Sequence, residues 1–196
     1  MPEAGAARPS KQEYAVLLAL AARTRADCLG RRVGAVVIRE DRVLSTGYNG
    51  TPIGMPNCSE GGCHRCARRD TGPYPVGGAY DLCVCVHAEQ NAILAAARFG
   101  QSTLGGTLTT TLRPCFGCCK EALQAGIVAV RYLDEWQPAA ADQDRELAVQ
   151  YASLRARFQV FEPLAVDRGR LLAFLASGSD GGAAAGAGAE PAGGEG

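Results

Sequence analysis

Apolar and polar positions in the first part of the chain predict one helix followed by a β-hairpin. Ser10 and Glu13 have the spacing of a capping box, which marks a helix start. Two β-branched runs follow, separated by Glu40 and Asp41, two residues suited to a turn. The elements predicted here are a helix over residues 10–26, a strand over 33–38 and a second strand over 43–48.

Helical and strand-like segments alternate from residue 88 onward. The pattern predicts helices over 88–99, 115–125, 142–157 and 167–176, and strands over 107–112, 127–133 and 158–161. Alternation of this kind is typical of parallel strands with helices on the faces of the sheet. We therefore predict an α/β fold.

Two segments differ in composition from the rest of the chain: the one between the hairpin and residue 88, and the one at the end. Residues 49–86 are rich in Gly, Pro and Cys and have neither helical nor strand periodicity, so we predict a long loop that metal binding would hold. From residue 177 the chain is Gly, Ala and Ser with a few acids, which is typical of disorder. The predicted organisation is a flexible N-terminus over 1–9, one domain over 10–176 that includes the 49–86 insertion, and a disordered tail over 177–196.

Charge and cysteine content narrow the class of function. The chain has 20 basic and 20 acidic residues, and only three of the acids lie in the predicted tail. The basic excess of the remaining body is too small for a nucleic-acid backbone, so we expect a small-molecule substrate. We find neither a secretion signal nor a run long enough for a bilayer, and expect a cytoplasmic protein without membrane contact. Most of its nine cysteines are clustered, which in a cytosolic chain favours metal binding over disulfides.

One constellation predicts a catalytic zinc site. His87, Cys115 and Cys118 supply one imidazole and two thiols, three corners of a tetrahedral site whose fourth corner is open to water. Glu89 follows the histidine by two residues, and Pro114 precedes the first thiol. This H-x-E and P-C-x-x-C spacing is the known signature of zinc-dependent deaminases. A structural zinc site is the alternative, but it would normally need a fourth protein ligand.

The same residues predict a reaction. Zinc lowers the pKa of bound water from about 15.7 towards about 7, which makes hydroxide available to add to a ring carbon that bears an amine. Glu89 is predicted to carry the proton from that water to a ring nitrogen and then to the departing ammonia.

A second group of cysteines lies in the predicted loop. Cys58, Cys63, Cys66 and Cys83 are predicted to hold a structural zinc, with Cys85 as the alternative to Cys83. Free thiols, or a redox pair at Cys63 and Cys66, are the other interpretations. Cys28 and Cys119 are predicted to be small core residues.

Over residues 11–162 the chain resembles the deoxycytidylate (dCMP) deaminases of the cytidine-deaminase superfamily. The resemblance is carried by segments 31–36, 47–52, 61–66, 82–93, 114–120 and 125–127. It implies a three-layer fold with a five-stranded mixed sheet and helices on both faces. It also implies a homo-oligomer, often a hexamer, conversion of dCMP to dUMP, a second zinc in some members, activation by dCTP and inhibition by dTTP.

Three residues are candidates for substrate contact. Asn49 matches the family position that hydrogen-bonds the sugar, although an ordinary turn asparagine fits the same place. Arg113 and Trp136 depart from the family pattern, and we predict that they bind phosphate and stack on a base or ribose. Surface or oligomer-interface roles are the alternatives for both.

These departures leave the substrate open. A modified deoxycytidylate, a free nucleoside, tRNA adenosine and a riboflavin precursor are the other substrates of related enzymes. A non-catalytic zinc module that binds a partner is the alternative from another class, and the presence of Glu89 counts against it.

Overall fold

Helix α1 (Lys11–Arg23) begins at the capping box that the sequence predicts. In the computed structural model, which describes residues 8–73, 82–135 and 145–176, the Glu13 amide donates to Ser10 Oγ at 3.2 Å. The Ser10 amide donates back to Glu13 Oε2 at 2.8 Å. The described part leaves out residues 1–7, 74–81, 136–144 and 177–196. Most of the predicted N-terminal segment, the predicted tail and Trp136 therefore lie outside it.

The predicted hairpin is confirmed. Strands β1 (Gly34–Arg39) and β2 (Arg42–Tyr48) pair antiparallel. Glu40 and Asp41 join them with φ of 51° and 62°. Two consecutive positive φ values define the turn type whose twist matches that of paired strands.

The predicted loop over 49–86 contains three short elements that the sequence analysis missed. They are a 3₁₀ turn (Cys58–Glu60), helix α2 (His64–Ala67) and an isolated bridge between Gly50 and Val86. Elements of three or four residues are too short to show a period, so pattern alone does not reveal them.

The remaining described elements up to residue 166 follow the predicted alternation. They are α3 (Ala88–Arg98), β3 (Thr107–Leu112), α4 (Phe116–Gln124), β4 (Ala129–Asp134), α5 (Arg145–Arg155) and β5 (Val160–Pro163). The prediction placed β5 two residues early, because the Phe158 amide still bonds to Arg155 O at 3.2 Å in the turn that ends α5. The predicted start of α5, at 142, lies outside the described residues.

The five strands form one mixed sheet in the order β2-β1-β3-β4-β5. The β1 strand is antiparallel to both its neighbours, whereas β3, β4 and β5 run parallel. Side chains alternate across β1: Val36 packs with Ala15 and Ala19 of α1, and Val37 packs in the cluster that contains Ala92 of α3. Helices therefore cover both faces, which confirms the three-layer prediction.

Two glycines let these helices approach the sheet. A Cβ at Gly34 would come within 2.1 Å of the carbonyl oxygen of Ala19, and one at Gly47 within 2.2 Å of that of Ala88. Ser45 Oγ also donates to Ala92 O at 2.7 Å. The first turn of α3 is therefore fixed against β2 by direct backbone packing.

Residues 8–166 form this main compact unit. Helix α6 (Arg168–Ala176) belongs to a second unit that begins at Asp167, whose carboxylate accepts from the Arg170 amide at 2.9 Å. Among the described helices, none is long and apolar enough to span a membrane.

Candidate active site

His87 lies at the mouth of α3, on a segment held on both sides. Gly50 and Val86 exchange two backbone hydrogen bonds, of 3.3 and 2.8 Å, immediately before it. Gln90 Oε1 accepts from the His87 amide at 2.8 Å and so caps the first turn. The imidazole therefore projects from a position that the backbone fixes.

Cys115 occupies the corresponding position at the mouth of α4. It is the N-cap residue, and the Cys119 amide bonds to its carbonyl at 3.0 Å. The preceding Pro114 carbonyl accepts a hydrogen bond from the Tyr151 hydroxyl. Cys118 follows one turn later, so that both sulfurs lie on the same side of the helix start.

The three predicted zinc ligands come together. Their ligand atoms all lie within 4.8 Å of one another. His87 Nδ1 is 3.4 Å from Cys115 Sγ and 3.3 Å from Cys118 Sγ. Zinc–sulfur and zinc–nitrogen bonds of about 2.3 and 2.0 Å at a tetrahedral angle place such atoms about 3.5 Å apart. The donor set and its spacing therefore fit zinc, with one coordination position left for a fourth ligand.

Hydrogen bonding prepares one of these thiols as a ligand. The Cys118 thiol lowers the pKa of Cys115 to about 4, and His87 acts in the same direction. The same contact raises the pKa of Cys118, which supplies the proton. Cys115 is thus the readier thiolate, and the thiolate is the form that binds metal.

Glu89 lies on the first turn of α3 and is only 4% exposed. Burial is the main cause that raises its pKa to about 7. A carboxyl group with such a pKa both accepts and releases a proton near neutral pH, as a general base and acid must.

Gln90 and Glu121 are site residues that the sequence analysis missed. Gln90 Nε2 donates to Glu121 Oε1 at 2.9 Å and so joins α3 to α4. A signal for Gln90 was present, because a glutamine three residues after an N-cap is half of a capping box. Glu121 had none, since its role depends on two helices meeting.

Asn49 is buried, and its side chain holds the segment before β1 through two hydrogen bonds to the backbone. Its Oδ1 accepts from the Val33 amide and its Nδ2 donates to Arg31 O, both at 2.7 Å. One further lone pair and one further proton of the amide are left for another partner. Its predicted sugar contact stays a prediction.

Arg113 lies at the end of β3, with its side chain 11% exposed. Its Nη1 is 3.0 Å from Glu135 Oε2, and its guanidinium lies 5.3 Å from the centre of the Tyr151 ring. Only Nη1 contacts the carboxylate, and the buried Nε has no hydrogen-bond partner among the described residues. The predicted phosphate contact also stays a prediction.

The cysteine-rich loop gathers more sulfurs than predicted. Cys58, Cys63, Cys66 and Cys83 lie in one cluster, which Cys28 and Cys85 complete. Cys28 was expected to be only a core residue, and the fold brings it to this cluster from the end of α1. Cys119 is fully buried in the main core, where it was expected.

A cavity of about 500 Å³ opens where β3 and β4 end. Its lining includes Arg23, Arg31, Arg32, Asp134 and Glu135. Three guanidinium groups against two carboxylates give the cavity a basic excess. Leu112 also lines it, three residues before Cys115.

Residues 9–134 match the model of the cytidine and deoxycytidylate deaminase zinc-binding region. A deoxycytidylate deaminase of Mycobacterium phage D29 is 41% identical over 132 residues, 65% of this chain and 98% of the phage protein. One of Schizosaccharomyces pombe is 42% identical over 127 residues, 64% of this chain and 37% of the yeast protein. The chain thus spans under two-fifths of the yeast relative's length.

Solved structures show the same likeness. The dCMP deaminase of cyanophage S-TIM5 in its apo form matches with a TM-score of 0.56 and 27% identity, over 80% of this chain and 99% of the phage chain. Its complex with dCMP and dUMP matches with a TM-score of 0.52 and 27% identity, over 78% and 93% of the two chains.

Proposed function

Because the chain belongs to the cytidine and deoxycytidylate deaminase family, we propose that it hydrolyses dCMP to dUMP and ammonia. The observation that carries this proposal is the triangle of His87, Cys115 and Cys118 with the buried carboxyl of Glu89 on the same helix turn. The names of the relatives and the cyanophage complex support the choice of a deoxycytidine monophosphate.

His87, Cys115 and Cys118 would hold the zinc. When bound, zinc would lower the pKa of a coordinated water to near neutrality. Glu89 takes a proton from the attacking water and delivers it to the ring nitrogen beside the amine-bearing carbon. It then takes the remaining proton of the added hydroxyl group and gives it to the departing amine, so that water and dCMP yield dUMP and ammonia in balance. Burial of Glu89 keeps bulk water from competing for that proton.

The basic cavity is our candidate for the phosphate of the substrate. It opens at the same edge of the sheet as the segment that leads to Cys115. Arginine is well suited to bind phosphate because its planar guanidinium group donates hydrogen bonds to two phosphate oxygens at once. Arg31 and Arg32 are exposed at this mouth and are the residues we assign to it.

The proposal extends to assembly and regulation. We propose a cytoplasmic homo-oligomer, a hexamer by resemblance, that responds to dCTP and dTTP and holds structural zinc in the cysteine-rich loop in addition to the catalytic zinc. Exposed apolar side chains on and after α3, such as Leu94, Phe99 and Leu104, support an interface there. Light scattering in line with size-exclusion chromatography tests the assembly.

The experiment that tests the activity is a screen of ammonia release by the zinc-loaded full chain. The substrates are cytosine nucleosides and their mono-, di- and triphosphates, including ring-modified deoxycytidylates, with and without dCTP and dTTP. dCMP should be the preferred substrate. Equal turnover of deoxycytidine would instead support a nucleoside enzyme, and release from none of them would support a non-catalytic zinc module.

A further inference from the structure

Six cysteines from four separate parts of the chain meet in one cluster. Cys28 follows α1, and Cys58 lies in the 3₁₀ turn. Cys63 comes directly before α2, and Cys66 lies within it. Cys83 and Cys85 precede α3. All are buried except Cys83, which is half-buried. This is more sulfur than a single tetrahedral ion can use.

The sulfurs divide into two overlapping sets of four. One set is Cys28, Cys58, Cys66 and Cys85, and the other is Cys63, Cys66, Cys83 and Cys85. Within each set, every sulfur lies within 4.8 Å of the others. Cys66 and Cys85 belong to both.

The spacings are those of metal-bound thiolates. Cys66 Sγ is 3.9 Å from Cys28 Sγ and 3.6 Å from Cys83 Sγ, and Cys63 Sγ is 3.8 Å from Cys83 Sγ. Two sulfurs bound to one tetrahedral zinc at about 2.3 Å lie about 3.8 Å apart. A disulfide would require about 2.05 Å, so these pairs are not disulfides.

We propose that this cluster is a binuclear zinc site in which the Cys66 and Cys85 thiolates bridge two ions. Two tetrahedral ions need eight ligand positions, and six sulfurs with two of them shared supply eight. Cys28 and Cys58 complete one ion, and Cys63 and Cys83 complete the other. The proposal replaces the single four-cysteine site expected from the sequence and does not depend on the deaminase activity.

Donors around the cluster offset part of the charge of such a site. Six thiolates and two zinc ions leave a net charge of minus two. Backbone amides of Leu29 and Gly30 donate to Cys58 Sγ at 3.5 Å and Cys28 Sγ at 3.3 Å. Arg69 brings a positive charge next to them, with Nη1 3.1 Å from Leu29 O, and its Nε also pairs with Asp70 Oδ1 at 3.3 Å. Such outer contacts stabilise metal-bound thiolates.

The site would fix the approach to the catalytic ligands. Cys85 is two residues before His87 and adjoins the Gly50–Val86 bridge. The two ions would therefore link three parts of the chain: the segment after α1, helix α2 and the segment before α3. The loop that connects them has few apolar side chains to bury. The position of the His87 imidazole would therefore be held more rigidly.

Metal analysis of the full chain, purified without chelators, tests the proposal. We expect about three zinc ions per chain, and about two after replacement of His87, Cys115 and Cys118 by alanine. Cys28→Ala should lose about one ion because the other set stays complete, whereas Cys66→Ala should lose about two. Cys119→Ala, a buried cysteine outside the six, is the matched control and should lose none.

A measurement on unmutated protein guards against variants that fail to fold. After exchange of zinc for ¹¹³Cd, NMR should show two all-sulfur cadmium signals coupled to each other through the bridging thiolates. One all-sulfur signal, or about two zinc ions in the wild-type chain, would overturn the proposal. Iron with acid-labile sulfide in place of zinc would overturn it too.

Discussion

Gln90 Nε2 donates a hydrogen bond to Glu121 Oε1 at 2.9 Å, which joins the helix that carries His87 and Glu89 to the helix that carries Cys118. The same Gln90 side chain accepts from the His87 amide through Oε1. One residue therefore sets the position of a zinc ligand and the distance between the two helices that share the ion.

Gln90→Ala should weaken the site while the fold remains. Outer contacts of this kind are worth about 10–100-fold in metal affinity or activity. We expect a loss of that size in zinc affinity, measured by competition with a chelating dye. Glu121→Gln keeps an oxygen that accepts from Gln90 and should lose much less. Equal zinc affinity in Gln90→Ala and the wild type would show that this contact does not position the ligands.

Glu89→Gln should separate zinc binding from catalysis. The amide has the shape of the carboxyl but cannot carry a proton, so kcat should fall by about 10²–10⁴-fold. Zinc content should be unchanged, because we assign Glu89 no metal bond. A variant that retains wild-type turnover of dCMP would remove Glu89 from the proposed mechanism.

Gly47→Ala should destabilise the fold, because the new methyl group would meet the Ala88 carbonyl at 2.2 Å. Overpacking of this kind costs about 1–3 kcal/mol, which thermal unfolding of the two proteins would reveal. Gly169→Ala is the control for a methyl group added where there is room, since its nearest neighbour is Asp167 Oδ1 at 3.4 Å. An unchanged Tm for Gly47→Ala would mean that α3 is free to shift away from β2.

Arg31→Ala should raise KM for dCMP about tenfold or more, since a hydrogen bond to a charged group contributes about 1.5–3 kcal/mol. KM for deoxycytidine, which has no phosphate, should not change. Arg98→Ala, an exposed arginine at the end of α3, serves as the control. If both substrates respond alike to Arg31→Ala, the basic cavity does not bind the phosphate.

Arg113→Ala distinguishes two roles for that arginine. If its contacts with Glu135 and Tyr151 are its function, the substitution should lower the free energy of unfolding by about 1–3 kcal/mol and leave KM for dCMP unchanged. A selective rise in KM for phosphorylated substrates at constant Tm would instead support the predicted phosphate contact. Glu135→Gln provides the comparison, since it removes the partner charge and one of the two oxygens that accept from Arg113 and from the Tyr132 hydroxyl.

The sequence was sufficient for the parts of this protein that depend on local spacing. The His87, Cys115 and Cys118 ligands could be predicted because the capping positions of two helices place them, and β1, β2 and β3 because each has a clear β-branched run. Strand order could not be read from any of these segments. It depends on which strands pair across long connections. The resemblance to known deaminases implied five strands in three layers, and their order came from the structure.

Residues that act through long-range contacts escaped prediction. Cys28 lies 38 positions before Cys66 in the chain, and the two sulfurs meet only in the folded protein. The choice between Cys83 and Cys85 could not be made from spacing, and the structure places both in the cluster. The spacing of cysteines in the sequence was interpreted for a single ion, so it could not indicate thiolates that two ions share.

The most direct test of the central claim is anomalous diffraction at the zinc edge from crystals of the zinc-loaded chain. We expect a peak bonded to His87 Nδ1 at about 2.0 Å and to Cys115 and Cys118 Sγ at about 2.3 Å, with a fourth position occupied by water. A peak at which a fourth protein side chain closes the coordination sphere, or no peak between these three residues, would contradict the catalytic zinc site.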